Sequence, residues 1–201
     1  MRKTGRYLGF IFLSMVLICA ASSAALAQEE EHHIIRGFAG YLTATGDETL
    51  NLSKIEFDNA AGFGLGYEYK FTPLIGVAID YSWYGPDVKV EDIGKKSADF
   101  NPATLGVMFH FIHGRLIDFY AGPAIAYVDY GSPTFNGEKV KLDSETTWDA
   151  RVGIDFKIFK WLGVGASVEY IDASADFKTD AGNGSLDPKP VVTRLGASLR
   201  F

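Results

Sequence analysis

Cysteine is almost missing from this 201-residue chain: the single one, Cys19, stands among the first twenty residues. A disulfide framework is thereby excluded, and stability must come from packing or from a bilayer. Cationic residues are the minority, with 19 Lys and Arg against 25 Asp and Glu. A nucleic-acid partner needs many basic contacts to phosphate, so that class is excluded as well. Past the first residues, no stretch reaches the roughly 18 continuous apolar residues of a membrane-spanning helix. What the chain has instead is glycine (22) and aromatic residues (14%), a composition of strands and turns.

The amino-terminal segment predicts export. Arg2, Lys3 and Arg6 precede an apolar run from Tyr7 to Ala21, and Ala25-Leu26-Ala27 offers a small-x-small cleavage site before Gln28. This is the pattern of a cleaved secretory signal peptide over residues 1–27. Ile18 is too large for the residue that usually precedes a lipidated cysteine, which argues against lipoprotein processing at Cys19. Residues 28–201 then form one domain without cysteine. Removing Arg2, Lys3 and Arg6 leaves 16 basic residues against 25 acidic, a formal charge of −9.

Period-two alternation runs through that domain. From Val191 to Phe201, Val191, Leu195, Ala197, Leu199 and Phe201 share one parity, while Arg194, Gly196, Ser198 and Arg200 share the other. Roughly ten alternating residues is the length of a strand crossing a bilayer. The same design recurs from Ala61 to Phe71, from Ile75 to Trp83, from Ala103 to Phe111, from Ile117 to Tyr127, from Thr147 to Ile158 and from Leu162 to Tyr170. A weaker first strand, about Ile34 to Thr45, brings the number to eight. Pro102 suits a strand start, and Pro123, in mid-strand, predicts a bulge.

Links near 71–74, 112–116 and 158–161 are short; those near 46–59, 85–99, 129–146 and 172–189 are long and polar. Strict alternation of the two classes puts every short turn at one end and every long loop at the other. The predicted fold is all-β: an eight-stranded antiparallel transmembrane β-barrel with short periplasmic turns and long extracellular loops. The faces favour it over a soluble sandwich, because the polar positions are mostly Gly, Ala, Ser and Thr with charges of both signs. The expected lumen set is Glu68, Lys70, Asp80, His110, Asp149, Arg151, Asp155, Lys157, Glu169, Arg194 and Arg200. Rings such as Tyr69, Phe71, Trp83, Phe111 and Trp148 stand near strand ends on the apolar face, as membrane interfaces require.

With those strands in place, the chain resembles the outer membrane protein W family of Gram-negative bacteria. The resemblance rests on Asn101-Pro102-Ala103-Thr104-Leu105, on the segment from Tyr120 to Tyr127, and on Trp148 to Asp155. It continues through Val168-Glu169-Tyr170-Ile171-Asp172, Leu186-Asp187-Pro188 and the terminal Arg200-Phe201. It implies a bacterial outer-membrane location, contact with outer-membrane lipid, and a narrow barrel that passes small hydrophobic solutes. It also implies that the aromatic terminus Phe201 signals to the barrel assembly machinery through the last strand. One position departs from the family pattern: Glu169 lies inward where the family can be aromatic. A confined carboxylate needs a basic partner, and Arg151, Arg194 and Arg200 are the candidates.

Two readings of the lumen stand side by side. Paired charges can plug a barrel this narrow, or the inward glycines can leave a slender passage. Two functions stand beside them: passive passage of small hydrophobic or amphipathic molecules, or a closed interaction barrel whose acidic loops bind a surface partner. No Ser/His/acid set can be placed near the long loops, so no enzyme is expected. No cofactor or metal is expected either; His32 and His33 follow Glu29-Glu30-Glu31, but a flexible segment does not hold metal geometry.

Overall fold

The computed structural model describes residues 31–44, 47–50, 53–90, 94–132, 134–135, 138–139, 141–179 and 182–201. The signal segment expected at 1–27 lies outside the described residues, as do Glu29, Glu30 and parts of the long loops. Eight strands close into a barrel: β1 (His33–Thr43), β2 (Ala60–Thr72), β3 (Ile75–Tyr84), β4 (Phe100–His113), β5 (Ile117–Tyr130), β6 (Glu145–Phe159), β7 (Leu162–Ile171) and β8 (Val191–Arg200). Consecutive strands pair antiparallel, and β1 pairs with β8 from Ile34↔Arg200 to Thr43↔Val191. Closure leaves no free sheet edge, which a hydrocarbon environment demands of any strand crossing it.

The physical sorting is the reverse of a soluble protein's. Leu195 is 65% exposed and Arg200 only 1%. Exposed rings form two belts: Tyr69, Phe71, Phe109, Phe111, Phe159 and Trp161 at the turn end, and Tyr41, Phe63, Tyr127 and Trp148 at the loop end. Neighbouring belt rings touch, with Phe159 stacked on Trp161 at 5.8 Å and Phe63 on Trp83 at 5.2 Å. Rings with one wet and one greasy side settle at the headgroup level.

The described parts of the long loops carry short strands of their own. Asp47–Leu50, Ser53–Phe57, Asp87–Val90 and Gly94–Ser97 form a four-stranded sheet from the first two loops. Lys141–Leu142 pairs with Ala175–Thr179, which pairs with Gly182–Leu186. The register shifts sit at the turn end instead, around Phe71, Phe111 and Ile158.

Both prolines act differently from expectation in detail. Strand β4 begins at Phe100, so Pro102 lies inside it. The β3–β4 ladder runs to Tyr81↔Ala103 and resumes only at Tyr84↔Phe100, because Pro102 has no N–H to give. Pro123 makes no bulge: the β5–β6 register passes through Ala150↔Pro123 without a shift. On its other side the β4–β5 ladder skips from Gly106↔Ala124 to Phe109↔Ala121 in unchanged register. Gly122 makes this possible, since a Cβ there would collide with the Val107 carbonyl oxygen.

Candidate functional site

Inward side chains of the barrel fall into layers along its axis. At the turn end, hydrogen bonds run round a closed ring. Arg36 Nη1 donates to Glu68 Oε2 at 2.7 Å, and His110 Nε2 meets Glu68 Oε1 at 2.6 Å. His110 Nδ1 meets Asp118 Oδ1 at 2.6 Å, and Arg200 Nη1 donates to Asp118 Oδ2 at 3.0 Å. Arg200 Nη2 donates to Asp155 Oδ2 at 2.6 Å, and Arg36 Nη2 reaches the same oxygen at 3.3 Å, which closes the circuit. Six strands contribute one residue each. Each nitrogen of His110 thus meets a carboxylate, an arrangement that only the imidazolium satisfies with two donors. Lys70 adds an ammonium 2.9 Å from Asp118 Oδ2, and Lys157 pairs with Glu31 below at 2.8 Å.

The second layer lies nearer the loops. Arg151 donates to Asp80 Oδ2 at 2.5 Å, to Glu169 Oε1 at 2.6 Å and to Thr104 Oγ1 at 3.1 Å. Arg194 donates to Glu169 Oε2 and, at 3.4 Å, to Ser82 Oγ; its guanidinium also lies 4.4 Å over the Phe38 ring. Glu169 is therefore held by Arg151 and Arg194, while Arg200 serves the lower ring. A buried carboxylate with two guanidinium partners recovers in Coulomb attraction much of what its dehydration costs.

Glycines make this much charge fit. The cross-strand partner of Asp80 is Gly66, and that of Asp155 is Gly165. A Cβ on either glycine would run into the neighbouring carboxylate. Gly153 gives the same room to the Tyr120 ring, which stacks under Arg36 with 4.9 Å between guanidinium carbon and centroid. The inward glycines thus leave space that other side chains fill. Between the layers a cavity of about 30 Å³ remains, lined by Arg36, Asp80, Tyr120, Arg151, Asp155 and Arg194 among others. It has room for about two water molecules.

Above the charge layers the lumen turns apolar. Leu42, Tyr84, Phe100, Val128, Tyr130, Ile171 and Val192 pack into one buried cluster at the loop end. Tyr84, Phe100 and Tyr130 form a row of rings, with centroids 6.4 and 5.6 Å apart. Beside them a recess of about 370 Å³ opens among Ala61, Gly62, Phe63, Trp83, Tyr84 and Asn101, where the β3–β4 ladder is interrupted.

All eleven lumen positions expected from the alternation are inward, and ten enter ion pairs. Asp149 does not: it is fully buried, and neither of its oxygens meets a donor among the described residues. Two ring members, Arg36 and Asp118, escaped the sequence reading. Parity could have found both, since Arg36 alternates with outward Ile35 and Gly37, and Asp118 shares its face with Tyr120. His110, His113 and Asp118 lie close enough to share a metal ion. Lys70 Nζ already occupies that place, 2.9 Å from Asp118 and 3.4 Å from His113 Nδ1. His32 and His33 are engaged with the Lys70 carbonyl and the Tyr67 hydroxyl. Phe201 stacks on His33 at 5.6 Å, and the two residues exchange both backbone hydrogen bonds at the β1–β8 seam.

A charged interior, an apolar exterior and a closed sheet describe a membrane barrel, and comparison with known proteins gives it a family. Residues 10–201 match the outer membrane protein beta-barrel domain. The chain belongs to that family. It is a protein of the bacterial outer membrane, with the fold of the outer membrane protein W group. OprG from Pseudomonas aeruginosa is similar in structure, with a TM-score of 0.72 at 20% identity over 87% of this chain and 98% of that one. AlkL in lipid bilayers gives a TM-score of 0.64 at 17% identity, covering 87% and 92% of the two chains. Escherichia coli outer membrane protein W gives 0.59 at 22% identity, covering 87% and 100%. A search of curated proteins finds no match.

Proposed function

We propose that this outer-membrane barrel takes up small apolar or amphipathic molecules at its loop end and releases them sideways into the bilayer. One observation carries the reading: the ladder interrupted at Pro102 adjoins both the apolar cluster and the open recess at Trp83 and Tyr84. Straight passage to the periplasm would have to break the ring of Arg36, Glu68, His110, Asp118, Arg200 and Asp155, all inside a low-dielectric wall. A lateral exit needs only that two strands with missing hydrogen bonds spread. The resemblance to the outer membrane protein W family supports the same class of solute.

The test uses cells producing the barrel and an apolar dye, N-phenylnaphthylamine, that fluoresces once inside a bilayer. Production of the barrel raises the rate of dye entry. Pro102→Val, which restores an N–H donor to the ladder, lowers that rate severalfold while heat-modifiable gel mobility still reports a folded barrel. An entry rate equal to that of barrel-free cells overturns the reading and favours a closed barrel working through its loops.

A further inference from the structure

Asp149 is the anomaly of the lumen. Its β6 position pairs with Ile171 of β7 and Ala124 of β5, which places it one inward level above Arg151 and at the floor of the apolar cluster. The hydrogen bonds that the two arginines of the upper layer donate go to Asp80, Glu169, Thr104 and Ser82, and none goes to Asp149. The layer therefore holds two arginines, Arg151 and Arg194, among three carboxyls, Asp80, Asp149 and Glu169, and Asp149 is the one that no cation meets. A buried carboxylate with no partner is costly, so the position favours any cation that can reach it.

Two independent features select the shape and sign of such a cation. The approach is apolar and aromatic, and the Tyr84, Phe100 and Tyr130 faces attract cations as well as hydrocarbon. The connections at 44–59, 85–99, 131–144 and 172–190 carry 14 acidic and 8 basic residues, a field that concentrates cations at this mouth. We infer that Asp149 is a binding site for an organic ammonium group at the end of a short apolar chain. The inference rests on uptake at the loop end and names the solute class that this end prefers. The chain lies among the rings, and the ammonium replaces the missing partner of Asp149.

Calorimetry on the barrel in lipid nanodiscs, with empty nanodiscs subtracted, compares n-hexylammonium, n-hexanol and n-hexanoate. Hexylammonium binds the wild-type barrel most tightly, and Asp149→Asn weakens it by about ten- to a hundredfold, the worth of a charged hydrogen bond. Hexanol binding is unchanged by the substitution. Equal binding of the three ligands by the wild type overturns the inference, as does an Asp149→Asn barrel that keeps the preference; either result means that the carboxyl holds its own proton. The wild-type ranking decides the matter even if the variant fails to fold. Apolar dye entry that persists while the ammonium preference is absent rejects this site alone, whereas absent dye entry rejects lateral uptake itself.

Discussion

The two charge layers are built from the same residue types and end in different states. The turn-end layer sets Arg36, Lys70, Arg200 and His110 against Glu68, Asp118 and Asp155, and every carboxylate there is engaged. The loop-end layer sets two arginines against three carboxylates and leaves Asp149 alone. A closed circuit is what a structural seal needs, because each carboxylate in it already holds a partner and none is left to attract a cation. An open set with one orphan is what a binding site needs. The difference teaches that lumen charge as such does not mean a plug; the count of partners does.

The strongest way to break the comparison is at Asp118, which holds His110, Lys70 and Arg200 together. Asp118→Asn strands buried cations and should cost about 3–5 kcal/mol of stability, read from the urea midpoint of the folded barrel. A loss below about 1 kcal/mol would mean that the ring is not a seal. A smaller effect comes from space instead of charge: Gly165→Ala drives a methyl into the Asp155 carboxylate and should cost about 1–3 kcal/mol. The smallest is the most telling. Asp149→Asn replaces a buried carboxyl that no donor reaches, so the urea midpoint should stay within about 0.5 kcal/mol of wild type or rise. A loss as large as that of Asp118→Asn would erase the distinction between the layers.

How much of this was legible in the sequence follows from what period-two alternation encodes. It fixes which face a residue takes, so the barrel, its inside-out sorting and the inward place of Glu169, Arg194 and Arg200 could all be read. It does not encode which inward neighbours meet across the lumen. Arg36 and Asp155 touch although 119 positions separate them, and such pairings depend on strand stagger that no local pattern carries. The same limit explains Pro123. A mid-strand proline signals a lost donor, but whether the strand bulges or simply drops two rungs is decided by its neighbour, here Gly122 lying almost against the Val107 carbonyl. Likewise, inward glycines read as open space because the residues that fill them belong to the next strand.

The ring at the turn end also ties the two ends of the chain together. It takes Arg36 from the first barrel strand and Arg200 from the last, and both meet on Asp155 of the sixth. The seal is therefore also a clasp, because one carboxylate holds the two strands that begin and end the barrel.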